Sequence, residues 1–185
     1  MAAAATKLEL GSKMPAFSLP GVDGRVYASQ DFSDKKALVV VFWCNHCPYV
    51  KAYEGRMIEI QRDYADKGVQ IVAICSNDAS THPEDSFPNM ERNARQKGYN
   101  FPYLHDESQD VARAFGAEKT PHLFVFDSRR NLVYEGRIDD NHENPAAVKR
   151  RYLRDALDDI LAGRPVREPL TFAIGCTIKW KSADR

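Results

Sequence analysis

Apolar and polar positions follow one another along this chain in blocks of two periods. Residues 37–43, Ala-Leu-Val-Val-Val-Phe-Trp, form an unbroken apolar run rich in β-branched side chains. That is the pattern of a central strand covered on both faces. From Pro48 the period changes: Val50, Tyr53, Met57, Ile60 and Tyr64 recur at three and four residues, one stripe of a helix that Gly68 ends. Residues 69–76 predict a second buried strand, 84–98 a polar helix closed by Gly98, and 101–106 a short extended piece. A further helix, 108–116, opens with Ser108 as its cap. The runs 122–127 and 132–138 flank a turn near Arg130-Asn131 and predict a hairpin. Val148, Leu153, Leu157, Ile160 and Leu161 mark a last helix, stopped by Gly163 and Pro165. Residues 1–19 read as an irregular arm, followed by a turn at Asp23-Gly24 and a short edge strand, while the tail from Arg167 has no clear period. Strands alternating with helices, then a hairpin and a helix, predict a three-layer α/β/α sandwich around a mixed sheet.

Composition narrows the picture. The chain has 185 residues and neither repeat nor linker, enough for one domain with a sizeable core, taken as 1–185. Lys plus Arg equals Asp plus Glu, 26 against 26, so no nucleic acid and no anionic membrane is expected as a partner. No apolar run approaches the length of a membrane span, and residues 1–10 lack the basic start and apolar segment of a signal peptide. A cytoplasmic location is expected. Four cysteines are too few for a disulfide scaffold of this length.

Two of them carry the chemistry. Cys44 and Cys47 enclose Asn45 and His46, directly after the predicted central strand and directly before Pro48. A thiol at a helix N-terminus faces unpaired N–H groups and the positive end of the dipole, which favour the nucleophilic thiolate. Cys44, ahead of the helix, is expected to be the more exposed and to attack; Cys47 is expected to resolve. Two intervening residues let the sulfurs close a disulfide with little backbone movement. A protonated His46 beside them should lower the thiol pKa further, and Pro48 suits the first helical position because its missing N–H would be unpaired anyway.

The pair Trp43-Cys44-Asn45-His46-Cys47-Pro48, with Lys119-Thr120-Pro121 far downstream, resembles the thioredoxin superfamily. The segment from Gly11 to Phe32 resembles the arm of its redoxin branch, which includes peroxiredoxins. The resemblance covers residues 10–162 and leaves 163–185 as a tail. It implies a thioredoxin-like sandwich with an N-terminal extension and an insertion at 77–100 after the second core strand. It also implies a cis Thr120-Pro121 bond beside the cysteines, with the Thr120 backbone free to pair with substrate, and thiol–disulfide exchange with protein or small-molecule partners and a thiol reductant. In thioredoxins a buried carboxylate assists the second cysteine; Asp78 and Asp31 are candidates for that role by position. Peroxiredoxins carry a Thr or Ser three residues before their cysteine and a Pro four residues earlier; Val41 and Ala37 stand there, which favours exchange over peroxide reduction.

Other readings stay open. A thiol peroxidase using Cys44 is one alternative. A metal carrier is another, since Cys44, His46, Cys47 and remote Cys176 are ligand types zinc accepts; the expectation is nonetheless of no metal and no cofactor. Trp43 is expected to pack beside the sulfurs, and Cys75 to be a core thiol. His122 either points to the site or is a hydrogen-bonded strand histidine. Cys176 is either a third redox thiol or a bystander in a docked tail.

Overall fold

The computed structural model describes residues 7–182. Its main sheet has the strand order β5-β4-β3-β7-β8, built from β3 (Ala37–Phe42), β4 (Val69–Cys75), β5 (Tyr103–His105), β7 (His122–Phe126) and β8 (Leu132–Gly136). β3 and β4 are parallel, as are β4 and β5, while β3 with β7 and β7 with β8 are antiparallel. The continuous apolar run of β3 is accounted for by its central place, with all six residues buried.

Alternate β3 side chains supply the two faces. Val39 and Val41 pack into a core with Val50 and Met57 of α1 (Pro48–Tyr64), Met90 of α2 (Phe87–Lys97) and Leu153 and Leu157 of α4 (Tyr152–Leu161). Leu38, Val40 and Phe42 face a second core with Phe124, Phe126 and residues of α3 (Asp110–Phe115). Each fully buried side chain such as Val50 or Met57 contributes about 1.5–3 kcal/mol through the apolar area it removes from water. The three layers match the expected sandwich.

Several details differ from the periodic pattern. The arm is not wholly irregular: β1 (Ser18–Pro20) pairs with β2 (Val26–Ala28) around Gly24, whose φ of +84° suits a residue without Cβ. A three-residue strand beside two prolines has too few positions to display a period. α1 gives way at Tyr64 to a 3-10 turn over Ala65–Lys67 before Gly68 reverses the chain at φ +85°. Val148 lies outside α4, after a separate turn that Pro145 starts. The tail returns to the domain: Leu170 bridges to Glu135, and β9 (Cys176–Thr177) pairs antiparallel with β6 (Lys119–Thr120). Residues 1–6, part of the stretch read as having no signal peptide, lie outside the described residues. No helix among the described residues is long and apolar enough to cross a membrane.

Candidate active site

The site forms where β3 runs out. Trp43 continues the ladder for one residue, its N–H donating to Ile74 at 2.8 Å. The chain then turns through residues 44–47, and Cys47 becomes the N-cap of α1 at φ −69°, ψ 126°, with Pro48 opening the helix. The Thr120-Pro121 bond is cis, as the resemblance implied, and Thr120 lies against both sulfurs. Its hydroxyl is 3.5 Å from Cys44 Sγ, and its carbonyl oxygen is 3.3 Å from Cys47 Sγ.

A third sulfur completes the cluster. Cys176 Sγ lies 2.8 Å from Cys47 Sγ, placed there by the Thr120–Cys176 register of the β6–β9 pair. Docking of the tail corrects two expectations. Cys44 is not the exposed thiol: Cys44 and Cys47 are both fully buried, and Cys176 is the partly exposed one. Nor is the Thr120 backbone free, because the chain's own strand occupies it.

Burial also decides where the negative charge rests. Cys47 receives a hydrogen bond from the Cys44 thiol, then others from Cys176 and from the Val50 N–H; together they outweigh desolvation and hold its pKa down at about 4. Cys44, which gives its proton to that shared bond, is pushed far above the usual thiol range, with burial and the Asp85 carboxylate adding to the rise. Burial and the bond to Cys47 raise Cys176 to about 11. The two sulfurs share one proton, and the balance of donors favours the charge on Cys47, whereas the sequence reading placed it on Cys44. The physical reason is that the helix end and two thiol donors converge on Cys47, whereas Cys44 faces a carboxylate.

That carboxylate, Asp85, was missed. It is fully buried, accepts from the Asn45 backbone at 2.7 Å and from Asn77 Nδ2 at 2.9 Å, and lies 2.5 Å from His46 Nδ1. The Nδ1 contact is off the line of a hydrogen bond, so it is a close charge contact available to a protonated imidazole. His46 thus turns to Asp85 and stacks on His82 at 5.6 Å. The neighbouring carboxylate would offset any charge on this ring, which therefore does not act on the sulfurs alone. Asp85 sits 38 residues beyond Cys47 in a polar stretch, Pro83-Glu84-Asp85-Ser86, with nothing local to mark it as buried. The two named candidates serve elsewhere: Asp78 accepts from Ser80 within its loop, and Asp31 accepts from the Ala28 N–H.

The remaining residues have structural places. Trp43 is buried in the same core as Cys44 and Cys47, and its indole donates to Tyr99 at 2.9 Å. His122 sits between the Glu118 N–H and Glu135, a satisfied strand histidine. Cys75 is fully buried and its pKa is pushed up by burial to about 12. Cys44, His46 and Asp85 each present one donor atom within 4.8 Å of the others, the only such trio found among the described residues. Thiolate, imidazole and carboxylate are donors that zinc accepts. A cleft of about 420 Å³ lined by Arg56, Glu59, Asp63, Asp139, Arg151 and Arg154 contains none of the cysteines.

A mixed sheet carrying buried thiols between a helix N-terminus and a cis proline defines a thioredoxin-like oxidoreductase that works on thiols and disulfides. The chain belongs to the Redoxin family, whose sequence model matches residues 9–150. A solved structure of an uncharacterised conserved protein from Geobacillus kaustophilus is 44% identical, with 96% of this chain and 95% of that chain covered at a TM-score of 0.91. A hypothetical protein from Sinorhizobium meliloti 1021 is 38% identical, with 96% and 98% covered and the same TM-score of 0.91. The thiol-disulfide oxidoreductase ResA of Bacillus thuringiensis subsp. konkukian is 23% identical over 131 residues, 70% of each chain.

Proposed function

We propose that this protein is a thiol–disulfide oxidoreductase whose redox couple is Cys44 and Cys47. The observation that carries the reading is the convergence of both sulfurs on Thr120 at the N-terminus of α1. The Cys47 thiolate attacks one sulfur of a disulfide R–S–S–R′, and R′S⁻ leaves. Cys44 then gives its proton to the adjacent His46–Asp85 pair, attacks Cys47 Sγ and displaces RS⁻, closing the Cys44–Cys47 disulfide. A thiol reductant runs the same steps backwards. This order reverses the one the sequence suggested, and it follows from the converging donors. Substrates are disulfides or thiols of proteins or small molecules, and a cytoplasmic location belongs to the same proposal.

Serine variants that also lack Cys176, which lies close enough to Cys47 to resolve an adduct there, test the order. Cys44→Ser with Cys176→Ser should accumulate a mixed disulfide on Cys47 with a model disulfide, and Cys47→Ser with Cys176→Ser should not accumulate one on Cys44. Trapping on Cys44 alone would restore the original order; no Cys44–Cys47 disulfide in the oxidised protein would sink the couple. The Cys44–His46–Asp85 trio favours one second reading, a metal-loaded form. Stoichiometric zinc in protein purified without chelator would support it.

A further inference from the structure

The tail does more than cover the site. β9 lies antiparallel on β6, with Cys176 opposite Thr120 and the Ile178 N–H donating to Glu118 at 3.0 Å. An extended peptide binding an exposed strand edge makes the same kind of contact. The approach is so close that a Cβ on Gly175 would stand 2.1 Å from the Thr120 carbonyl oxygen, so only glycine fits. The tail is held on the other side as well. Lys179 N–H donates to Asn77 Oδ1 at 2.9 Å, and Asn77 Nδ2 donates to Asp85, which tops Cys44. Ile178 is 3% exposed and anchors the strand in the second core. All of this sets Cys176 Sγ 2.8 Å from Cys47 Sγ.

We propose that Cys176 is a third redox thiol, and that residues 175–178 are an internal substrate strand presenting it to Cys47. This rests on the reading of Cys44 and Cys47 as a couple. Starting from the Cys44–Cys47 disulfide made by an external disulfide, the Cys176 thiolate attacks Cys47 Sγ. The Cys44–Cys47 bond breaks, the Cys47–Cys176 bond forms, and Cys44 leaves as a thiolate that takes up the proton Cys176 gave up. The exchange moves one disulfide within the chain and needs no further oxidant. It ties the tail covalently over the site and returns Cys44 to the reduced form. A thiol reductant attacking the partly exposed Cys176 Sγ breaks the Cys47–Cys176 bond, releases Cys47 as a thiolate and forms a mixed disulfide on Cys176 that a second thiol reduces.

Wild-type protein, Cys44→Ser and Gly175→Ala are reduced, freed of reductant and oxidised with one equivalent of glutathione disulfide. Acid quenching, alkylation and peptide mapping without reduction follow. Cys44→Ser should yield a Cys47–Cys176 cross-linked peptide in preference to glutathione adducts on either cysteine. The wild type should yield both Cys44–Cys47 and Cys47–Cys176 peptides. Gly175→Ala, which pushes β9 away from Thr120, should slow formation of the Cys47–Cys176 peptide about 100-fold, since an ångström of misplacement costs that much, and should speed alkylation of Cys47. A Cys44–Cys47 disulfide in the wild type, with only glutathione adducts on Cys47 and Cys176 in Cys44→Ser, would overturn the third thiol and leave the couple standing. No intramolecular disulfide in any variant would overturn both.

Discussion

Residues 43–48 and residues 175–178 meet at one atom, the sulfur of Cys47, and reach it by opposite routes. The first segment is pinned by its neighbours in sequence. A buried strand ends, a helix begins at a proline, and the turn between them has little choice of path. The second segment has no period and no regular structure beyond two paired residues; its place is set by one backbone pairing, one buried isoleucine and a glycine thin enough to allow the approach. The first is therefore a rigid half of the site and the second a detachable half, because local free energies of opening follow buried contacts and protected hydrogen bonds.

Titration gives the largest expected effect. The folded pKa of Cys47, about 4, lies below the ordinary thiol value of about 8.5. Its contribution to the stability of the reduced protein is complete above about pH 8.5 and is lost as pH falls toward about 4, at no more than about 1.4 kcal/mol per pH unit. Above about 8.5 the sign reverses, because Cys44, Cys75 and Cys176 are raised and keep protons that the unfolded chain gives up. Denaturant titrations of reduced wild type and Cys47→Ala across this range should diverge on the acid side. Parallel curves would place the charge elsewhere.

Core substitutions sharpen the contrast next. Phe42 packs edge-on against Phe115 and Phe124 at centroid distances of 5.5 and 5.8 Å. Phe42→Ala should cost about 3–5 kcal/mol of global stability. Ile178→Ala, equally buried but on the detachable half, should cost about 2 kcal/mol, at the low end for such a truncation, because the tail lifts before the domain unfolds. Equal losses in urea unfolding would make the tail as integral as the central strand.

Asp85→Asn probes the link between the halves. It removes the anion facing Cys44 and Cys75, so both thiols should titrate at lower pH by thiolate absorbance. Disturbing its buried hydrogen bonds should cost about 1–3 kcal/mol. Unmoved thiol titrations would show that burial alone sets those values. Phe172→Ser should do least. Phe172 is 90% exposed, so the change in melting should correspond to no more than about 0.5 kcal/mol. A larger loss would mean that the Phe172 ring itself packs on the domain, beside Leu170 and Thr171, whose backbone already pairs with Glu135.

Much of the rigid half was legible. The uninterrupted apolar residues of β3, the stripe from Val50 to Tyr64 and the turn at Arg130, which adopts φ +61°, are read from positions close in sequence. The pairing of β1 with β2 and the start of α4 were not, because segments of three residues and a turn begun by Pro145 carry no period. Asp85 and the docking of Cys176 were beyond any local reading.

By itself the sequence determined the strand–helix junction that holds Cys44 and Cys47, since periodicity and a proline act through neighbours within one helical turn. It also carried the Thr120-Pro121 step through its resemblance to thioredoxins. Only the tertiary structure decided which donors reach each sulfur, which carboxylate faces the site and what occupies the Thr120 edge. Those outcomes depend on which distant groups exclude water from a sulfur and which donors reach it. Asp85, 38 residues beyond Cys47, and Cys176, 129 residues beyond it, are brought to the site by folding alone.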